Sequence, residues 1–291
     1  MRLSSVLVSG VPALVARRDD HLVDVTSLLP ALGDSVGSLL AAAARSEAVW
    51  SELRQAVAGA SGAALLDASK VTYRPVVPRP GKIICLGLNY VDHAAEAKYE
   101  KPTYPVTFLR TTTSLLAHGE PLVIPEVSEQ LDYEAELAAV IGKGGRNIAK
   151  EDALAHVAGY ACFNDASIRD YQLKSHQWTV GKNFDATGGF GPELVTADEL
   201  PPGATGLAIR TVVGDEVLQS ANTTDMIFDV AETIATLSVA MSFEPGDVLV
   251  MGTPGGVGLA RTPQRWLRAG ETVRIEIERI GTLSNAVVAE A

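Results

Sequence analysis

The sequence is poor in cysteine and in positive charge. It has two cysteines in 291 residues, Cys85 and Cys162, and both lie within apolar runs. This placement favours small buried side chains over a disulfide or a catalytic nucleophile. The 24 lysines and arginines are outnumbered by 35 aspartates and glutamates, which leaves a formal charge of −11. Nucleic acids and anionic membranes bind basic surfaces, so we expect neither as a partner.

Long apolar runs are also absent. No run reaches the roughly 20 residues that a membrane-spanning helix needs, and no basic-then-apolar signal segment opens the chain. We therefore expect a cytoplasmic protein. A hydrophobic content of 47% with 20% charged residues is typical of a globular protein. The length suits one large domain or a main domain with a smaller one.

Residues 1–76 differ from the rest of the chain. Short strand patterns at 6–8 and 13–15 flank a turn, and residues 38–57 show the apolar spacing of one amphipathic helix. A proline-rich connector follows at 71–81. We predict a small N-terminal α+β domain over 1–76, acting as a lid or a dimer contact, and a catalytic domain over 77–291.

An acidic strand pattern lies at 131–141. Side chains alternate along a strand, so Glu134 and Glu136 should project the same way, roughly 7 Å apart. Two carboxylates on one face repel each other, and each resists ionisation alone. Either this face is solvated, or a cation lies between the two groups.

A third carboxylate favours the cation. Asp165 follows the apolar run 156–163 and should stand at a strand end. Three carboxylates without cysteine or histidine suit Mg²⁺, Mn²⁺ or Ca²⁺ better than Zn²⁺. The alternative is that Glu134 and Glu136, with Asp132, form the wet face of an antiparallel strand.

Four further side chains are candidates for chemistry. His93 and Glu96 are three residues apart on a short helical segment, which suits either a general-base dyad or a surface pair. Arg110 lies in a polar loop, where it could bind an anion. Lys182 also lies in a loop pattern; such a lysine is usually solvated, but beside a metal-bound oxyanion it would supply positive charge and a proton.

The C-terminal part predicts alternating strands and one helix. The strands are expected at 207–213, 247–251 and 271–278, and the helix at 226–241. The glycine-rich run 252–258 lacks the order and context of a dinucleotide-binding loop. Its Thr253 hydroxyl and backbone N–H groups, at a strand end, suit carboxylate binding.

Seven motifs in order resemble the fumarylacetoacetate hydrolase family over residues 80–288. They are Gly87-Leu88-Asn89-Tyr90 with His93-x-x-Glu96, Leu131-Asp132-Tyr133-Glu134-x-Glu136-Leu137, Phe163-Asn164-Asp165, Arg169-Asp170-x-Gln172, Gly181-Lys182, Gly252-Thr253-Pro254 and Gly281-Thr282-Leu283-x-Asn285. The resemblance implies a mixed α/β, mostly β fold built on a mixed-sheet β-roll, in a homodimer.

The resemblance also implies roles for individual residues. A divalent cation, usually Mg²⁺, would be held by Glu134, Glu136 and Asp165. The pair His93 and Glu96 would activate water, and Lys182 would face an oxyanion. Substrate contacts are implied for Tyr90, Arg110, Gln172 and Thr253. The family often has lysine at the position of Arg110, so that contact can differ here.

The function implied is chemistry on a 2-oxo acid. Our leading hypothesis is hydrolysis of a carbon–carbon bond in an acylpyruvate-like 2,4-dioxo acid from aromatic catabolism, through an enolate held by the metal. The same site would serve decarboxylation of oxaloacetate-type acids, or isomerisation or hydration of 2-oxo-enoates. An alternative from another class is a 2-oxo acid binding protein without turnover.

Overall fold

A computed structural model describes residues 1–92 and 100–290 of the chain. Strand outweighs helix among these residues, which confirms the predicted fold class. The strands are β1 Arg2–Val8, β2 Val11–Arg18, β3 His21–Asp24, β4 Leu65–Leu66, β5 Val71–Tyr73, β6 Ile83–Gly87, β7 Val106–Leu109, β8 Leu115–Leu116, β9 Leu122–Ile124, β10 Leu131–Asp132, β11 Ala135–Ile141, β12 Val157–Asp165, β13 Ser167–Ile168, β14 Gly188–Thr196, β15 Ala208–Val213, β16 Glu216–Asn222, β17 Val248–Val250, β18 Thr272–Ile277 and β19 Gly281–Ala289. The α-helices are α1 Val25–Leu28, α2 Val36–Ala43, α3 Ala48–Gly59, α4 Arg169–Gln172, α5 Thr179–Lys182 and α6 Val230–Ser238.

Three sheets organise these strands. The largest has twelve strands in the order β4-β3-β2-β1-β14-β12-β11-β17-β6-β7, with β5 beside β1 and β8 beside β14. It is mixed, because β17 pairs with β6 and β14 with β8 in parallel while its other pairs are antiparallel. The second sheet has the order β16-β15-β18-β19-β9, and β10 pairs with β13 in a third.

The N-terminal strands belong to the large sheet. The predicted hairpin is confirmed, since Val8 pairs with Val11 across the turn. Strand β1 also pairs with β14, with Arg2 opposite Val195 and Leu3 opposite Leu194. Apolar side chains of the first 76 residues share one core with those of β11, β12, β14 and β17. The boundary near residue 76 stays a prediction, as does the role of the first segment as a lid or dimer contact.

The predicted helix over 38–57 is divided in two. Helix α2 is capped at its start by Ser35, whose hydroxyl accepts from the Ser38 amide. A turn at Ala44 and Arg45 then separates it from α3. The apolar positions that predicted the helix are nevertheless buried, because both segments turn them toward the sheet. The pattern predicted the buried face correctly and missed the break.

The acidic segment is interrupted rather than continuous. Residues Tyr133 and Glu134 lie between β10 and β11, and β10 belongs to a different sheet. Strand β11 is buried on both faces: Leu137 and Ile141 join one core cluster, and Ala138 joins the other. Core packing on both sides of the sheet leaves this strand no solvated face.

Two other expectations are settled by the fold. The helix predicted over 226–241 is shorter, because Asp229 caps its start by accepting from the Glu232 amide at 2.7 Å, and Met226 pairs instead with Tyr90. Cys85 and Cys162 are free buried thiols, as predicted. Among the described residues, no helix combines the length and apolar character needed to cross a membrane.

Candidate metal centre and active site

Three buried carboxylates meet at the centre of the large sheet. Glu136 lies on β11, Asp165 ends β12, and Glu134 immediately precedes β11. Antiparallel pairing of β11 with β12 brings the two strand ends together. One oxygen from each carboxylate lies within 4.8 Å of the others. The side chains are at most 5% exposed, so the wet-face alternative is wrong.

This donor set fits a hard divalent cation. All three donors are carboxylate oxygens, which Mg²⁺, Mn²⁺ and Ca²⁺ prefer. Burial raises the pKa of Glu136 well above its ordinary value, and the nearby charges of Asp165 and Glu134 raise it further. A bound cation would reverse this repulsion and favour the ionised form. The three carboxylates could therefore hold such a cation, and their role as its ligands stays a prediction.

Lys182 lies between two of the carboxylates. Its Nζ is 2.6 Å from Glu134 Oε2 and 2.6 Å from Asp165 Oδ2. It ends helix α5 and is 2% exposed, so the alternative of a solvated loop lysine is wrong. Burial lowers the pKa of Lys182, but attraction to Asp165 and Glu134 outweighs burial and the net shift is upward. The side chain is a fixed cation at neutral pH.

A glycine permits the approach that buries this lysine. A Cβ added at Gly181 would lie 2.3 Å from the backbone nitrogen of Gln172, which no side chain could tolerate. Helix α5 can therefore pack closely against α4 only with glycine at this position. The Gly181-Lys182 pair in the sequence thus has a packing reason as well as a chemical one.

Arg110 lies in the loop after β7, as predicted, but it is not exposed there. Its side chain is fully buried, its Nε donates to Asp165 Oδ1, and its Nη2 donates to the carbonyl of Ala166 at 2.6 Å. Its Nη1 donates to the Thr187 hydroxyl at 3.2 Å. Three protein acceptors therefore surround the guanidinium. Its role as a substrate contact stays a prediction.

Arg169 and Asp132 are functional candidates that the sequence reasoning did not single out. Arg169 Nε donates to Asp132 Oδ2 at 2.8 Å, and Nη2 lies 2.6 Å from Glu134 Oε1. The third nitrogen, Nη1, donates to Gln172 Oε1 at 2.9 Å. One buried guanidinium thus joins the predicted metal ligand Glu134 to the predicted substrate contact Gln172. The spacing of Arg169 and Gln172, three residues apart on α4, was the available signal.

The charges of the described residues around the centre nearly balance. The anions are Asp132, Glu134, Glu136 and Asp165, and the cations are Arg110, Arg169 and Lys182. With all four carboxylates ionised, they exceed the three cations by one negative charge. A divalent cation would turn this into one net positive charge. The loaded centre would then attract a dianionic acid at short range.

The glycine-rich loop after β17 closes one side of the centre. The amide of Gly252 donates to Glu136 Oε2 at 2.5 Å. Gly252 has φ +87, and an added Cβ would lie 2.6 Å from Asn89 Cβ, so only glycine fits this turn. The buried Thr253 hydroxyl accepts from Gln219 Nε2 at 2.8 Å. Thr253 directly follows the glycine that contacts Glu136, and its role as a substrate contact stays a prediction.

The remaining sequence candidates fall in two groups. Tyr90 is buried beside the centre, where burial and then the charge of Glu136 raise the pKa of its hydroxyl. It lines a cavity of about 640 Å³ next to the glycine-rich loop. His93 and Glu96 lie outside the described residues, so their dyad stays a prediction.

Comparison with known proteins identifies the family of this chain. The family description "fumarylacetoacetate (FAA) hydrolase C-terminal" matches residues 82–288. The human mitochondrial oxaloacetate tautomerase FAHD2A is 41% identical over 244 residues, covering 83% of this chain and 77% of the relative. The corresponding protein of Xenopus laevis is 43% identical over 226 residues, covering 77% of this chain and 70% of its own.

Solved structures share the fold over the whole chain. A fumarylacetoacetate hydrolase from Exiguobacterium antarcticum is 31% identical, with a TM-score of 0.83 and full coverage of both chains. Maleylpyruvate hydrolase from Sphingobium sp. SYK-6, in complex with manganese and pyruvate, is 29% identical with a TM-score of 0.83 and the same coverage. The chain described here belongs to the fumarylacetoacetate hydrolase family of enzymes.

Proposed function

We propose that this protein is a divalent-metal-dependent enzyme that interconverts the keto and enol forms of oxaloacetate. This replaces acylpyruvate hydrolysis as the leading hypothesis and takes up the oxaloacetate-directed alternative. The relatives named oxaloacetate tautomerase, at 41–43% identity, support it. Magnesium is the proposed metal, with manganese or calcium able to occupy the same oxygen ligands.

The observation that carries the proposal is the buried cation placed among the metal ligands. Tautomerisation needs an environment that stabilises negative charge on the C2 oxygen and a group that moves a proton. Lys182, within 2.6 Å of Glu134 and Asp165, holds positive charge at this point in a water-poor site. Hydrolysis needs, in addition, an activated water. The described residues thus supply the positive charge that stabilises the C2 oxygen during enol formation.

The proton balance of the reaction is simple. One C3–H bond breaks and one O–H bond forms at the C2 oxygen, and no water is consumed. A divalent cation, when bound, would polarise the 2-oxo group and stabilise charge on its oxygen. Lys182 would hold a proton opposite that oxygen, and Gln172, oriented by Arg169, would position the acid. His93, oriented by Glu96, is proposed as the acceptor of the C3 proton.

The test compares oxaloacetate and acetylpyruvate on protein loaded with Mg²⁺, Mn²⁺ or Ca²⁺. Loss of the ultraviolet absorbance of enol-oxaloacetate should exceed the rates with metal alone and with EDTA, without pyruvate being formed. Release of pyruvate and CO₂ would identify a decarboxylase instead. Acetate and pyruvate from acetylpyruvate, with oxaloacetate exchange at the background rate, would restore the hydrolase hypothesis and reject the tautomerase.

Two variants complete this experiment. Glu136→Gln should abolish the metal-dependent rate, because it removes a ligand. His93→Ala should leave metal binding intact and lower the rate by about 10²- to 10⁴-fold if His93 moves a proton. Metal and 2-oxo acid binding without any turnover in the unmodified chain would favour the non-catalytic binding protein.

Acylpyruvate hydrolysis is the second candidate. The observation in its favour is the full-length structural match to maleylpyruvate hydrolase, an enzyme whose structure contains manganese and pyruvate. The same comparison of substrates distinguishes the two reactions. A homodimer and a cytoplasmic location remain predictions; sedimentation of the purified protein tests the first.

A further inference from the structure

One peptide unit joins a buried asparagine to a predicted metal ligand. It is the unit between Met251 and Gly252, directly after β17. Its carbonyl oxygen accepts from Asn89 Nδ2 at 2.7 Å, and its N–H donates to Glu136 Oε2 at 2.5 Å. The carbonyl and the N–H of a trans peptide point in opposite directions. Asn89, on one side of this peptide, therefore sets which group Glu136 meets on the other side.

The orientation of the Asn89 side-chain amide is unambiguous. Its Oδ1 accepts from the Phe228 amide at 2.8 Å, and a backbone N–H is always a donor. The side-chain nitrogen must therefore be the atom that faces two carbonyls, that of Met251 and that of Phe228 at 3.0 Å. Both N–H groups of Nδ2 are used in this way. Asn89 is fully buried, so bulk water does not compete for these bonds.

Asn89 is itself held in place by the segment that precedes α6. Its backbone carbonyl accepts from the Ile227 amide at 2.7 Å, in addition to the two bonds that its side chain makes with Phe228. These three bonds fix Asn89 against residues 227–228. The side chain therefore presents its donor to Met251 from a fixed position.

The Met251–Gly252 peptide would otherwise be able to rotate. The Met251 amide is tied to the carbonyl of Leu137 at 2.9 Å, so the torsions left are ψ of Met251 and φ of Gly252. Glycine adopts positive and negative φ about equally, and Gly252 has φ +87. Turns of types I and II differ by such a rotation of their central peptide. The bond from Asn89 opposes this rotation because it holds the carbonyl on its own side.

The two orientations would present different groups to the carboxylate centre. In the observed orientation Glu136 meets an N–H donor, which fixes one of its oxygens and leaves the other for a cation. After rotation, the carbonyl oxygen of Met251 would take the place of that N–H. A carbonyl oxygen repels a carboxylate, but it is a common ligand of Ca²⁺. The orientation of one peptide thus decides how many oxygens the centre offers.

Magnesium and calcium respond differently to this choice. Mg²⁺ needs near-ideal octahedral geometry with ligands at about 2.0–2.1 Å. Ca²⁺ accepts about six to eight oxygens at about 2.3–2.6 Å, in flexible arrangements that include backbone carbonyls. A fixed Glu136 and a withheld carbonyl therefore favour Mg²⁺, whereas a mobile Glu136 and an available carbonyl favour Ca²⁺.

We propose that Asn89 is a positioning residue that locks the Met251–Gly252 peptide and thereby makes the carboxylate centre select Mg²⁺ over Ca²⁺. Asn89 acts through Glu136 and is not itself a ligand. The proposal rests on the metal site of the proposed function and adds to it a selectivity between cations.

The test titrates Asn89→Ala with Mg²⁺ and with Ca²⁺ by calorimetry, in the absence of any substrate. We expect the affinity for Mg²⁺ to fall by about 10- to 100-fold, as for other groups that orient ligands. The affinity for Ca²⁺ should fall by no more than about threefold, because its coordination is flexible. Equal losses for the two cations would show that Asn89 acts through stability alone and would overturn the proposal, as would unchanged affinities.

Asn285→Ala is the matched control. Asn285 is 1% exposed, and its Nδ2 also donates to two backbone carbonyls, those of Ala117 at 2.7 Å and Glu120 at 2.8 Å. This variant should lower the unfolding temperature in EDTA about as much as Asn89→Ala does. It should leave the ratio of the two metal affinities at the wild-type value. A similar change of the ratio in both variants would contradict the assignment to Asn89.

The unmodified protein provides a second measurement, which decides the question even if Asn89→Ala does not fold. Crystal structures with Mg²⁺ and with Ca²⁺ should both show the Gly252 N–H on Glu136 and the Met251 carbonyl on Asn89. Coordination of either cation by the Met251 carbonyl in the unmodified protein would reject the lock.

The two proposals fail separately. The expected change in cation selectivity without oxaloacetate turnover would reject the tautomerase and keep the role of Asn89. Turnover of oxaloacetate, with equal losses of both cations in Asn89→Ala, would keep the tautomerase and reject that role.

Discussion

Lys182 is the residue on which the electrostatics of the centre depend. Its Nζ contacts two of the three predicted metal ligands, and its distance to the ring centroid of Phe108 is 5.0 Å. In the metal-free protein, its positive charge reduces the repulsion between the carboxylates of Glu134 and Asp165. In the metal-loaded protein the same amino group and the cation would share the carboxylates, since each oxygen has two lone pairs. Lys182 should therefore weaken metal binding but increase the rate of turnover.

Replacement of this lysine by methionine tests that difference. In Lys182→Met, Glu134 and Asp165 lose a buried cation, so we expect the metal-free protein to lose about 3–5 kcal/mol of its unfolding free energy. Metal binding should then stabilise the variant more than the wild type. Turnover should fall by about 10²- to 10⁴-fold, because a positioned cation and proton donor is gone. Thermal unfolding with and without Mn²⁺, together with the enol assay, measures all three quantities.

Lys82 provides the control for this variant. Its Nζ forms an ion pair with Asp247 at 2.9 Å, but it is 27% exposed and lies outside the carboxylate centre. Lys82→Met should change neither the metal-induced stabilisation nor the rate. Equal metal-induced stabilisation in wild type and Lys182→Met would show that the lysine and the metal do not share ligands.

At the scale of elements, Asp132 connects three segments. Its Oδ1 accepts from the Gly258 amide at 2.8 Å, and its Oδ2 accepts from the Leu259 amide at 2.9 Å. The same Oδ2 accepts from Arg169, which contacts Glu134. The end of β10, the loop after β17 and helix α4 are thus held by one carboxylate.

Asp132→Asn should disturb the metal centre without touching the metal. The amide has no charge to hold Arg169, and one of its two polar atoms is a donor that cannot accept from the loop amides. We expect metal affinity to fall by about 10- to 100-fold, as for other groups that orient ligands. Titration with Mn²⁺ followed by calorimetry measures the change. Asp170→Asn, one residue from Arg169 and bonded to Ser128, is the control and should retain wild-type affinity.

At the scale of the whole molecule, Glu193 joins the N-terminal strands to the central sheet. This β14 residue pairs with Arg17 Nε at 2.5 Å and with Arg2 Nη1 at 3.2 Å. Its side chain is 8% exposed, whereas the arginines are 31% exposed. The pairs lie where β1 and β2 continue the sheet beside β14.

Glu193→Gln should destabilise the entire protein rather than its first 76 residues alone. We expect a loss of about 1–3 kcal/mol, less than for a fully buried pair because the arginines remain partly hydrated. Unfolding in denaturant should show one transition, since the sheet and core are continuous. Two transitions would instead support independent N-terminal and catalytic domains. Asp198→Asn, which breaks an exposed pair with Arg54, should cost at most about 1 kcal/mol.

His118 predicts a pH dependence of stability. Burial lowers its pKa, partly offset by the charge of Glu193, and its Nδ1 accepts from the Ser284 amide at 3.1 Å. Tyr73 packs edge-on against the ring. Below the pKa of an unfolded histidine, near 6.5, the unfolded chain takes up a proton that the folded chain resists. Stability is therefore lost as the pH falls through that range.

The measurement compares wild type with His118→Gln between pH 7.5 and about 5. The wild type should lose unfolding free energy more steeply, by at most about 1.4 kcal/mol per pH unit for one proton. Denaturant unfolding at each pH gives both slopes. Identical slopes would show that His118 does not contribute to the acid sensitivity.

Much of the fold and part of the site could be predicted from local patterns. The first hairpin, the strand content and the residues of the carboxylate cluster depend on the order of nearby residues. The buried faces of α2 and α3 were predicted for the same reason. The helix ends and the break before β11 were not predicted. Capping by Ser35 and Asp229 sets the helix starts, and pairing of β10 with β13 interrupts the acidic strand, in competition with local periodicity.

By itself, the sequence determined which chemical groups are present and which neighbours share a face: the acidic pair Glu134 and Glu136, the donor Lys182 and the glycines that allow close approach. Only the tertiary structure decided what those groups contact. Burial by core on both sides of β11 turned an apparent wet face into a carboxylate cluster. The fold also pairs Arg110 with Asp165, and Arg169 with Asp132 and Glu134. A buried charge is stable only beside an opposite charge, and the partners here come from distant parts of the chain.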